Sequence, residues 1–528
     1  MGRSQGPPVI CRSGRSHVVN PSPCQWRRIR QELRRSHGAK VRSVHLSRYP
    51  FVPSFTHPMN VSHAPRPRGA LVRATLGSLA AAAALLATAS LSAQSAPSIP
   101  HEKYSLPNGL EVILHVDRSV PIIAVEGFYK VGSGDEKKGR TGFAHLFEHV
   151  MFMGSQNVPV GKFDEWLEAA GASNNGSTNF DRTNYYETGP SNALPLMLWL
   201  DADRMGWLLP TMDQEKLDLQ RGVVQNERRQ SYDNVPYGRA FETILPVMFP
   251  SNHPYSWPVI GSMADLSAAA LDDVKDFFRQ YYAPNNATIT IAGDFNADSV
   301  KAQVTKYFGS IPRSAQPVVR PTVPEVRIAK DTVLVMEDRV QLPRAYYAWH
   351  GVKAFSPDDA ALDALTDIIA GGKSSRLYRT LVYEKQIAQD VSMGNTSQKL
   401  DGLIMLTATA KPGVHPREMD VEIRKTLNDI ATSGVTDREL TRVKNGMRAS
   451  MLDRLSSVLG KATQLSYYNY YTGTPDYMAQ DLARYERLTS ADLQRVARQY
   501  VLQPKIVLTV VPEGKKELAL TSAQGGNN

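Results

Sequence analysis

The sequence predicts an α+β protein built from two homologous α/β sandwich domains, each an antiparallel-rich sheet covered by helices. Two observations support this fold class. From residue 104 the 528-residue chain alternates strand-like and helix-like hydrophobic patterns. In addition, an amphipathic helix that ends in Arg-Gln-Tyr and leads into a Val/Ile-rich strand occurs twice, within 273–293 and again within 493–514. Such an internal repeat indicates a duplicated domain of about 200 residues.

Most of the individual elements are predicted in the first half. Alternating residues on either side of Pro107-Asn108-Gly109 predict a hairpin over 104–115. The apolar run at 121–131 predicts a strand, and its similarity to 343–359 indicates the corresponding start of the second half. Apolar residues spaced by three and four positions predict helices. The predicted helices are 141–154, 161–171, 192–209, 213–231 and 264–282, and a buried strand is predicted at 287–293.

These elements define the expected domain organisation. We expect an N-terminal domain over 104–310 and a C-terminal domain over 325–515. Residues 311–324 contain four prolines and are predicted to form the linker. Residues 516–528 are expected to form a disordered tail.

The positive charge of the chain, +10 overall, is confined to one end. Residues 1–73 hold fourteen Lys and Arg and one acid, whereas the other 455 residues hold 47 bases and 50 acids. Because the body carries no excess of basic residues, we expect no nucleic-acid partner. Both cysteines, Cys11 and Cys24, also lie in this end. The body therefore has no disulfide framework, no cysteine-based zinc site and no cysteine nucleophile.

The N-terminal residues have the layout of an export signal. Residues 1–58 are basic and lack hydrophobic periodicity, which predicts a disordered leader or a misassigned start, with Met59 as the true one. Within 59–96, three arginines precede the apolar stretch 76–91 and small residues follow it, as in a secretory signal peptide. We expect an exported protein, periplasmic or secreted. The alternative is a membrane anchor through 76–91, although this stretch is short for a span.

The motif His145-Leu-Phe-Glu148-His149 is the strongest chemical signal in the body. On a helix the two histidines lie one turn apart, so both imidazoles can bind one metal ion. Glu148 lies beside them, where it can take a proton from a metal-bound water. The alternative is a packed histidine pair with a surface glutamate.

A catalytic metal of this kind needs a third protein ligand, here a carboxylate or another histidine. In the predicted helix 213–231, Glu227 shares a face with Leu217 and Val224, which would turn it inward. Glu187 and Glu215 are alternatives.

A family resemblance rests on three segments, GRTGFAHLFEHVMFMGSQNV, NNGSTNFDRTNYYE and VVQNERRQ. Residues 104–514 resemble the pitrilysin/insulinase family of zinc metallopeptidases. Within the family the resemblance points to the bacterial branch that is similar to mitochondrial processing peptidase. These are the inverzincins, whose HxxEH reverses the HExxH order. The resemblance implies a metallopeptidase fold of the processing-peptidase type and one Zn²⁺ per chain. By position it assigns His145, His149 and Glu227 as zinc ligands and Glu148 as the general base. It also implies an edge strand on which a peptide substrate pairs, formed by Asn175, Gly176, Ser177, Thr178 and Asn179.

The sequence departs from the family pattern in two places. Gln220 stands where many relatives have a glutamate two turns before the third ligand, so the position is polar but neutral. The family's second half carries an Arg and a Tyr, seven residues apart, that help hold the substrate and stabilise the tetrahedral intermediate; here these positions are Val382 and Gln389. We therefore expect the zinc-bearing subunit of a heterodimer whose homologous subunit supplies the Arg/Tyr pair, with a homodimer as the alternative.

The expected function is that of an exported zinc endopeptidase that hydrolyses peptides or unfolded segments through zinc-activated water. Two alternatives share the fold: a non-catalytic assembly or core subunit, and a secreted binding protein. An intact HxxEH motif argues against both, because neither would need a metal site.

Overall fold

The computed structural model describes residues 97–315, 318, 320–323 and 325–521. The predicted leader and signal peptide therefore lie outside the described residues. The first half forms a six-stranded sheet in the order β1-β2-β6-β3-β5-β4, in which β2 and β6 run parallel and all other neighbours run antiparallel. The strands are β1 Glu102–Ser105, β2 Glu111–Val116, β3 Ile122–Tyr129, β4 Ser173–Thr178, β5 Thr183–Pro190 and β6 Ala287–Gly293.

The second half forms a five-stranded sheet in the order β7-β11-β8-β10-β9. Again one pair of neighbours, β7 and β11, is parallel and the others are antiparallel. The strands are β7 Thr332–Asp338, β8 Arg344–His350, β9 Ala388–Ser397, β10 Gly402–Ala410 and β11 Ile506–Pro512.

The two sheets share one topology once β1 is set aside. β2, β6, β3, β5 and β4 correspond in order and direction to β7, β11, β8, β10 and β9. The repeated strand of the sequence is β6 in one sheet and β11 in the other, and both are flanked by a parallel and an antiparallel neighbour. The α+β class with two similar sheets is thus confirmed. The exact domain limits 104–310 and 325–515 stay a prediction.

Helices cover both sheets. The first half contains α1 Phe143–Val150, α2 Lys162–Ala169, α3 Leu194–Trp207, α4 Gln214–Arg228, α5 Ala240–Met248, α6 Met263–Ala268, α7 Leu271–Tyr281 and α8 Ala297–Phe308. The second half contains α9 Asp359–Ala370, α10 Pro416–Ser433, α11 Asp437–Arg454, α12 Val458–Thr472, α13 Met478–Glu486 and α14 Ser490–Val496. Short π-helical segments lie at Arg229–Asp233, Tyr378–Glu384 and Ala497–Val501.

In each half, one helix packs against the sheet of the other half. α12 of the second half packs its Val458 and Ala462 against Ala124 and Ala292 of the first sheet. In return, α5 of the first half packs on the second sheet, where Ile244 shares a core with Leu508. This exchange joins the two halves into a single packed body, and it leaves the other face of the first sheet to α1 and α3.

The predicted helix 264–282 is wrong in one respect, because it is broken into α6 and α7. Its middle reads Ala268-Ala269-Ala270, which carries no local signal for a break. The break comes from elsewhere in the fold: Arg221 on α4 donates to the Ala269 carbonyl at 2.6 Å, which takes that oxygen out of the helical pattern. The carboxylate of Asp273 accepts a hydrogen bond from Ala270 N and restarts the helix.

The prediction of a disordered tail over 516–528 is wrong for its first residues. Lys516–Leu518 forms a 3₁₀ turn, and Ala519 and Leu520 are buried. Leu520 N donates to Thr509 Oγ1 of β11 at 3.1 Å, so these residues are part of the fold and not of a disordered tail. The described residues of 311–324 form neither helix nor strand. Within the part of the chain that the structure describes, no helix is long and apolar enough to cross a membrane.

Candidate metal centre

The helix that carries the histidine pair, α1, is held at its start by a distant carboxylate. Gly142 precedes α1 with φ +88°, and a Cβ there would lie 2.8 Å from the Ile260 carbonyl oxygen. No side chain next to α1 caps it. Instead, buried Glu136 accepts hydrogen bonds from Gly142 N at 3.0 Å and Ala144 N at 2.8 Å. These bonds satisfy the first free amides of α1, and so they fix where the helix begins.

The third member of the site comes from α4. Arg228, the next residue after Glu227, donates to the Gly261 carbonyl and to Glu242 at 3.0 and 2.7 Å, which anchors this end of the helix. The chain then continues into the π-helical segment Arg229–Asp233, a distortion that is common at functional sites. α4 thereby presents Glu227 to α1.

Three ligand-type side chains meet at this point. His145 Nε2 and His149 Nε2 are 3.3 Å apart, and Glu227 Oε2 lies 3.6 Å from the first and 3.3 Å from the second. In a tetrahedral zinc site with bonds of about 2.0–2.1 Å, neighbouring ligand atoms are separated by about 3.3 Å. The observed spacing therefore matches that of three ligands around one ion.

The protonation states suit a metal as well. Burial and the neighbouring His149 lower the pKa of His145, so its imidazole is neutral at pH 7. Burial alone would raise the pKa of Glu227, but the facing His149 and His145 bring it below its usual value. Glu227 Oε2 is nevertheless buried without a hydrogen bond of good geometry. A buried acceptor without a donor is costly, and a cation between the three atoms would satisfy it.

The other two glutamates considered as third ligand lie elsewhere. Glu187 is fully buried on β5 and accepts a hydrogen bond from Arg204 at 2.8 Å. Glu215 is exposed in the first turn of α4. Among the described residues, the His145, His149 and Glu227 cluster is the one group of three His, Cys, Asp or Glu side chains arranged to hold a metal ion.

Gln220 is buried on α4, two turns before Glu227. Its amide contacts the Met153 sulfur, and it makes no hydrogen bond to the three clustered side chains. The two positions of the expected Arg/Tyr pair lie in the second half. Val382 belongs to the π-helical segment Tyr378–Glu384 and packs partly against the second core, and Gln389 is exposed on the edge strand β9.

The base candidate Glu148 faces the edge strand of the first sheet. β4 is the last strand of that sheet, and its Thr178 hydroxyl donates to Glu148 Oε2 at 2.6 Å. Gly176 leaves room for the same side chain, since a Cβ there would lie 3.1 Å from Glu148 Cγ.

The edge-strand residues are placed as expected, with one exception. Asn175, Gly176, Ser177 and Thr178 belong to β4, but Asn179 lies just beyond it. Its Oδ1 accepts hydrogen bonds from Asp181 N and Arg182 N at 2.8 and 2.9 Å, so this side chain shapes the β4–β5 turn.

The backbone of β4 offers free hydrogen-bonding groups. Opposite residues of an antiparallel pair alternate between bonded and non-bonded pairs. Because Asn179 N donates to Arg182 O, the pairs of Gly176 and Thr178 are non-bonded ones, and their N–H and C=O groups point away from β5. The Gly176 N–H donates to the side-chain oxygen of Asn175 at 2.8 Å, which leaves the Gly176 C=O and both Thr178 groups for another strand.

Comparison with known proteins identifies the family. The pattern described as "Insulinase (Peptidase family M16)" matches residues 112–253, and that of the "Peptidase M16 inactive domain" matches 268–447. The chain is 32% identical over 426 residues to the zinc protease PqqE of Helicobacter pylori, covering 79% of this chain and 94% of that protein. The chain belongs to the peptidase M16, or insulinase, family.

Two further M16 comparisons agree. The crystal structure of a protease from Helicobacter pylori superposes with a TM-score of 0.75 at 28% identity, covering 79% of this chain and all of that one. A probable mitochondrial-processing peptidase subunit beta of Arabidopsis thaliana is 23% identical over 423 residues, with 77% of each protein covered. The resemblance drawn from the HLFEH, NNGSTNFDRTNYYE and VVQNERRQ segments is thereby confirmed.

Sequence reasoning missed Glu136, Arg228 and the hydroxyl contact of Thr178. Glu136 lies in a glycine-rich loop that gives no sign of capping a helix seven residues later. The basic run after Glu227 equally gives no sign that Arg228 is buried. Only the folded arrangement of α1, α4 and β4 reveals these contacts.

Proposed function

We propose that this chain is an exported zinc-dependent endopeptidase that hydrolyses peptides or unfolded polypeptide segments, and that it is the metal-bearing subunit of a two-subunit peptidase. The observation that carries the proposal is the convergence of His145, His149 and Glu227 at ligand spacing, with Glu148 beside them. The name of the relative from Helicobacter pylori, a zinc protease, supports the same assignment.

In this proposal the three clustered side chains hold one Zn²⁺. Two neutral imidazoles and one carboxylate are a common donor set of catalytic zinc, and they leave a position for water. When bound, the ion supplies Lewis-acid activation of water and of a peptide carbonyl. The donor set and the unsatisfied Glu227 Oε2 both support zinc at this place.

Glu148 acts as general base. It directly precedes His149 on α1. Its carboxylate accepts a proton from the attacking water and returns it to the leaving amine. Thr178 holds one of its oxygens, so the other is available for this transfer.

The substrate pairs with β4 as an additional strand. The outward C=O of Gly176 and the outward N–H and C=O of Thr178 bind the peptide main chain, and this pairing places the bond to be cut beside Glu148. Main-chain pairing does not depend on side chains, which suits a peptidase that acts on unfolded segments.

A second, homologous subunit completes the site. The Arg/Tyr pair expected in the family's second half is replaced by Val382 and Gln389, so this chain supplies neither group. The relative from Arabidopsis thaliana is itself named as a subunit, which supports a two-chain arrangement. Export rests on the signal-peptide pattern of residues 59–96.

A metal analysis combined with one variant tests the proposal. We expect the purified chain to contain about one zinc, and Glu148→Gln to keep it while peptide hydrolysis falls by about 10²–10⁴-fold. Hydrolysis is measured with the chain alone and mixed with a homologous chain that carries the Arg/Tyr pair. Zinc-free protein, or undiminished cleavage by Glu148→Gln, contradicts the enzymatic assignment. Equal activity with and without the second chain contradicts the heterodimer.

A further inference from the structure

We propose that Thr178 is a positioning residue: its hydroxyl orients the Glu148 carboxylate, so that one residue of the edge strand both pairs with the substrate and holds the base. The inference rests on the proposed function, in which Glu148 is the base and β4 receives the peptide. It adds a residue whose side chain, and not only its backbone, serves the reaction.

The direction of the hydrogen bond is set by the neighbours of Thr178. Its hydroxyl oxygen lies 2.6 Å from Glu148 Oε2 and 3.4 Å from the hydroxyl of Thr183. Thr183 already donates its proton to the Val131 carbonyl at 2.9 Å. The Thr178 proton therefore goes to Glu148, which is the nearer acceptor.

Glu148 depends on this one donor. Among the described residues, Thr178 is the only one that donates a hydrogen bond to its side chain. A glutamate side chain has three rotatable bonds, and a base works only within hydrogen-bond reach of the proton it takes. With Oε2 held by Thr178, Oε1 is the oxygen left to accept the proton from water.

Gly176 contacts the same glutamate side chain at its Cγ. Gly176 and Thr178 are two residues apart on a strand, so both present the same face to Glu148. Glu148 Cγ packs over Gly176, at a place where even a methyl group would lie 3.1 Å away. The Glu148 side chain thus packs on Gly176 at its Cγ and is held at its carboxylate by the Thr178 hydroxyl.

The backbone of Thr178 links this contact to the substrate. Its N–H and C=O point outward from the sheet, while its side chain points to Glu148. A peptide that pairs along β4 therefore fixes the backbone of the residue that orients the base. Preorganisation of this kind affects the rate of the chemical step more than the binding of the substrate.

Three variants test the role of the hydroxyl. Thr178→Val keeps the shape and removes the donor, and Thr178→Ser keeps the donor and removes the methyl group. We expect kcat to fall about 10- to 100-fold in Thr178→Val, with KM and zinc content unchanged, and to return to within about threefold of the unmodified protein in Thr178→Ser. Thr332→Val, the same change at the start of β7, serves as the control with unchanged kcat.

Crystal structures of the variants give a readout that does not depend on turnover. We expect Glu148 to leave its observed conformer in Thr178→Val and to keep it in Thr178→Ser. If Thr178→Val does not fold, Thr178→Ala removes the same hydroxyl without added bulk and carries the same expectation.

The outcomes separate this inference from the proposed function. A kcat within twofold of the unmodified protein in Thr178→Val, beside an inactive Glu148→Gln, overturns the inference alone. An equal loss in Thr178→Ser, or a loss that follows zinc content or KM, overturns it too. Full activity in Glu148→Gln overturns both the inference and the proposed function.

Discussion

The two halves of the molecule have the same sheet topology, yet among the residues that the structure describes only the first half carries a candidate metal site. In each half a helix follows the central strand and lies beside the edge strand: α1 beside β4, and α9 beside β9. α1 brings His145, Glu148 and His149 to that place. α9 carries no histidine and reads DAALDALTDIIA, with mostly buried alanine, leucine and isoleucine. The same sheet topology therefore occurs with and without these side chains, and the candidate metal site belongs to one copy of it.

The contact between helix and edge strand is kept in both halves. In the first, Thr178 of β4 donates to Glu148 of α1. In the second, the Asn395 amide of β9 donates to Asp363 of α9 at 2.9 Å. A polar side chain on the edge strand thus binds a carboxylate on the helix in each copy. In the first half the carboxylate lies next to the candidate metal ligands in the sequence, whereas in the second it is paired with Asn395 and Tyr485.

The interiors behind the two edge strands differ as well. β10 buries Ile404, Leu406 and Ala408, an apolar set suited to an ordinary sheet. Its counterpart β5 buries Asn184 and Glu187. Buried polar groups reduce stability unless they are paired, and their concentration in the half with the metal site fits the rule that functional regions depart from ideal packing.

The largest expected effect comes from removing the third ligand, which makes the first half resemble the second. We expect Glu227→Ala to bind less than about a tenth of the zinc and to lose at least about 10³-fold in peptide hydrolysis. Because this end of α4 is anchored by Arg228 and not by Glu227, circular dichroism should be unchanged.

Glu215→Ala is the matched control, since Glu215 is an exposed glutamate on the same helix. It should keep both zinc and activity. Zinc retention in Glu227→Ala would refute the assignment of this ligand.

The second effect concerns the buried charges of the first half. Arg204 on α3 is paired with Glu187 and Asp201, and all three side chains are at most 3% exposed. Burial raises the pKa of Glu187, and so does the nearby Asp201. Arg204→Leu would leave two carboxyls without their cation, and we expect the free energy of unfolding to fall by about 3–5 kcal/mol in urea titrations.

Arg279→Leu removes an exposed partner of Asp276 and should cost no more than about 1 kcal/mol. If the two variants lose the same free energy of unfolding, the buried ion pairs of Arg204 contribute no more to stability than an exposed pair does.

How much of this difference could be predicted from the sequence depends on how far apart in the chain the interacting residues lie. Local patterns predict that His145 and His149 share one helix face and that Glu227 points inward. The structure brings these three side chains together. The resemblance to the family supplied the edge strand. The position of β4 at the sheet edge depends on pairing between distant segments, which hydrophobic periodicity does not encode.

Other features required the folded chain. The break at Ala269 is made by Arg221, which lies 48 residues earlier in the sequence. Likewise α1 is capped by Glu136 from a preceding loop, where a local capping residue would be the expectation. In these two cases a tertiary hydrogen bond overrides a local pattern. Asn179 differs from them, because its side chain closes the following turn through local hydrogen bonds to Asp181 N and Arg182 N.

The last effect, which is the smallest when taken per pH unit, tests the second half's helix-to-strand contact. Burial, with the adjacent Asp359 carboxylate, raises the pKa of Asp363 to about 7. Between about pH 4 and 7 the folded chain thus holds a proton that the unfolded chain has released, so stability falls as the pH rises through this window. The slope contributed by one such group is at most about 1.4 kcal/mol per pH unit.

Asp363→Asn replaces this group by a neutral side chain of the same shape, and it should flatten the fall in stability between pH 4 and 7. Asp298→Asn, at an exposed carboxylate of the first half, should leave the wild-type slope in place. The measurement is urea unfolding at several pH values. A profile for Asp363→Asn that superimposes on that of the unmodified protein would show that Asp363 is ionised in the folded state. The helix-to-strand contact of the second half would then hold a charged carboxylate and not a protonated one.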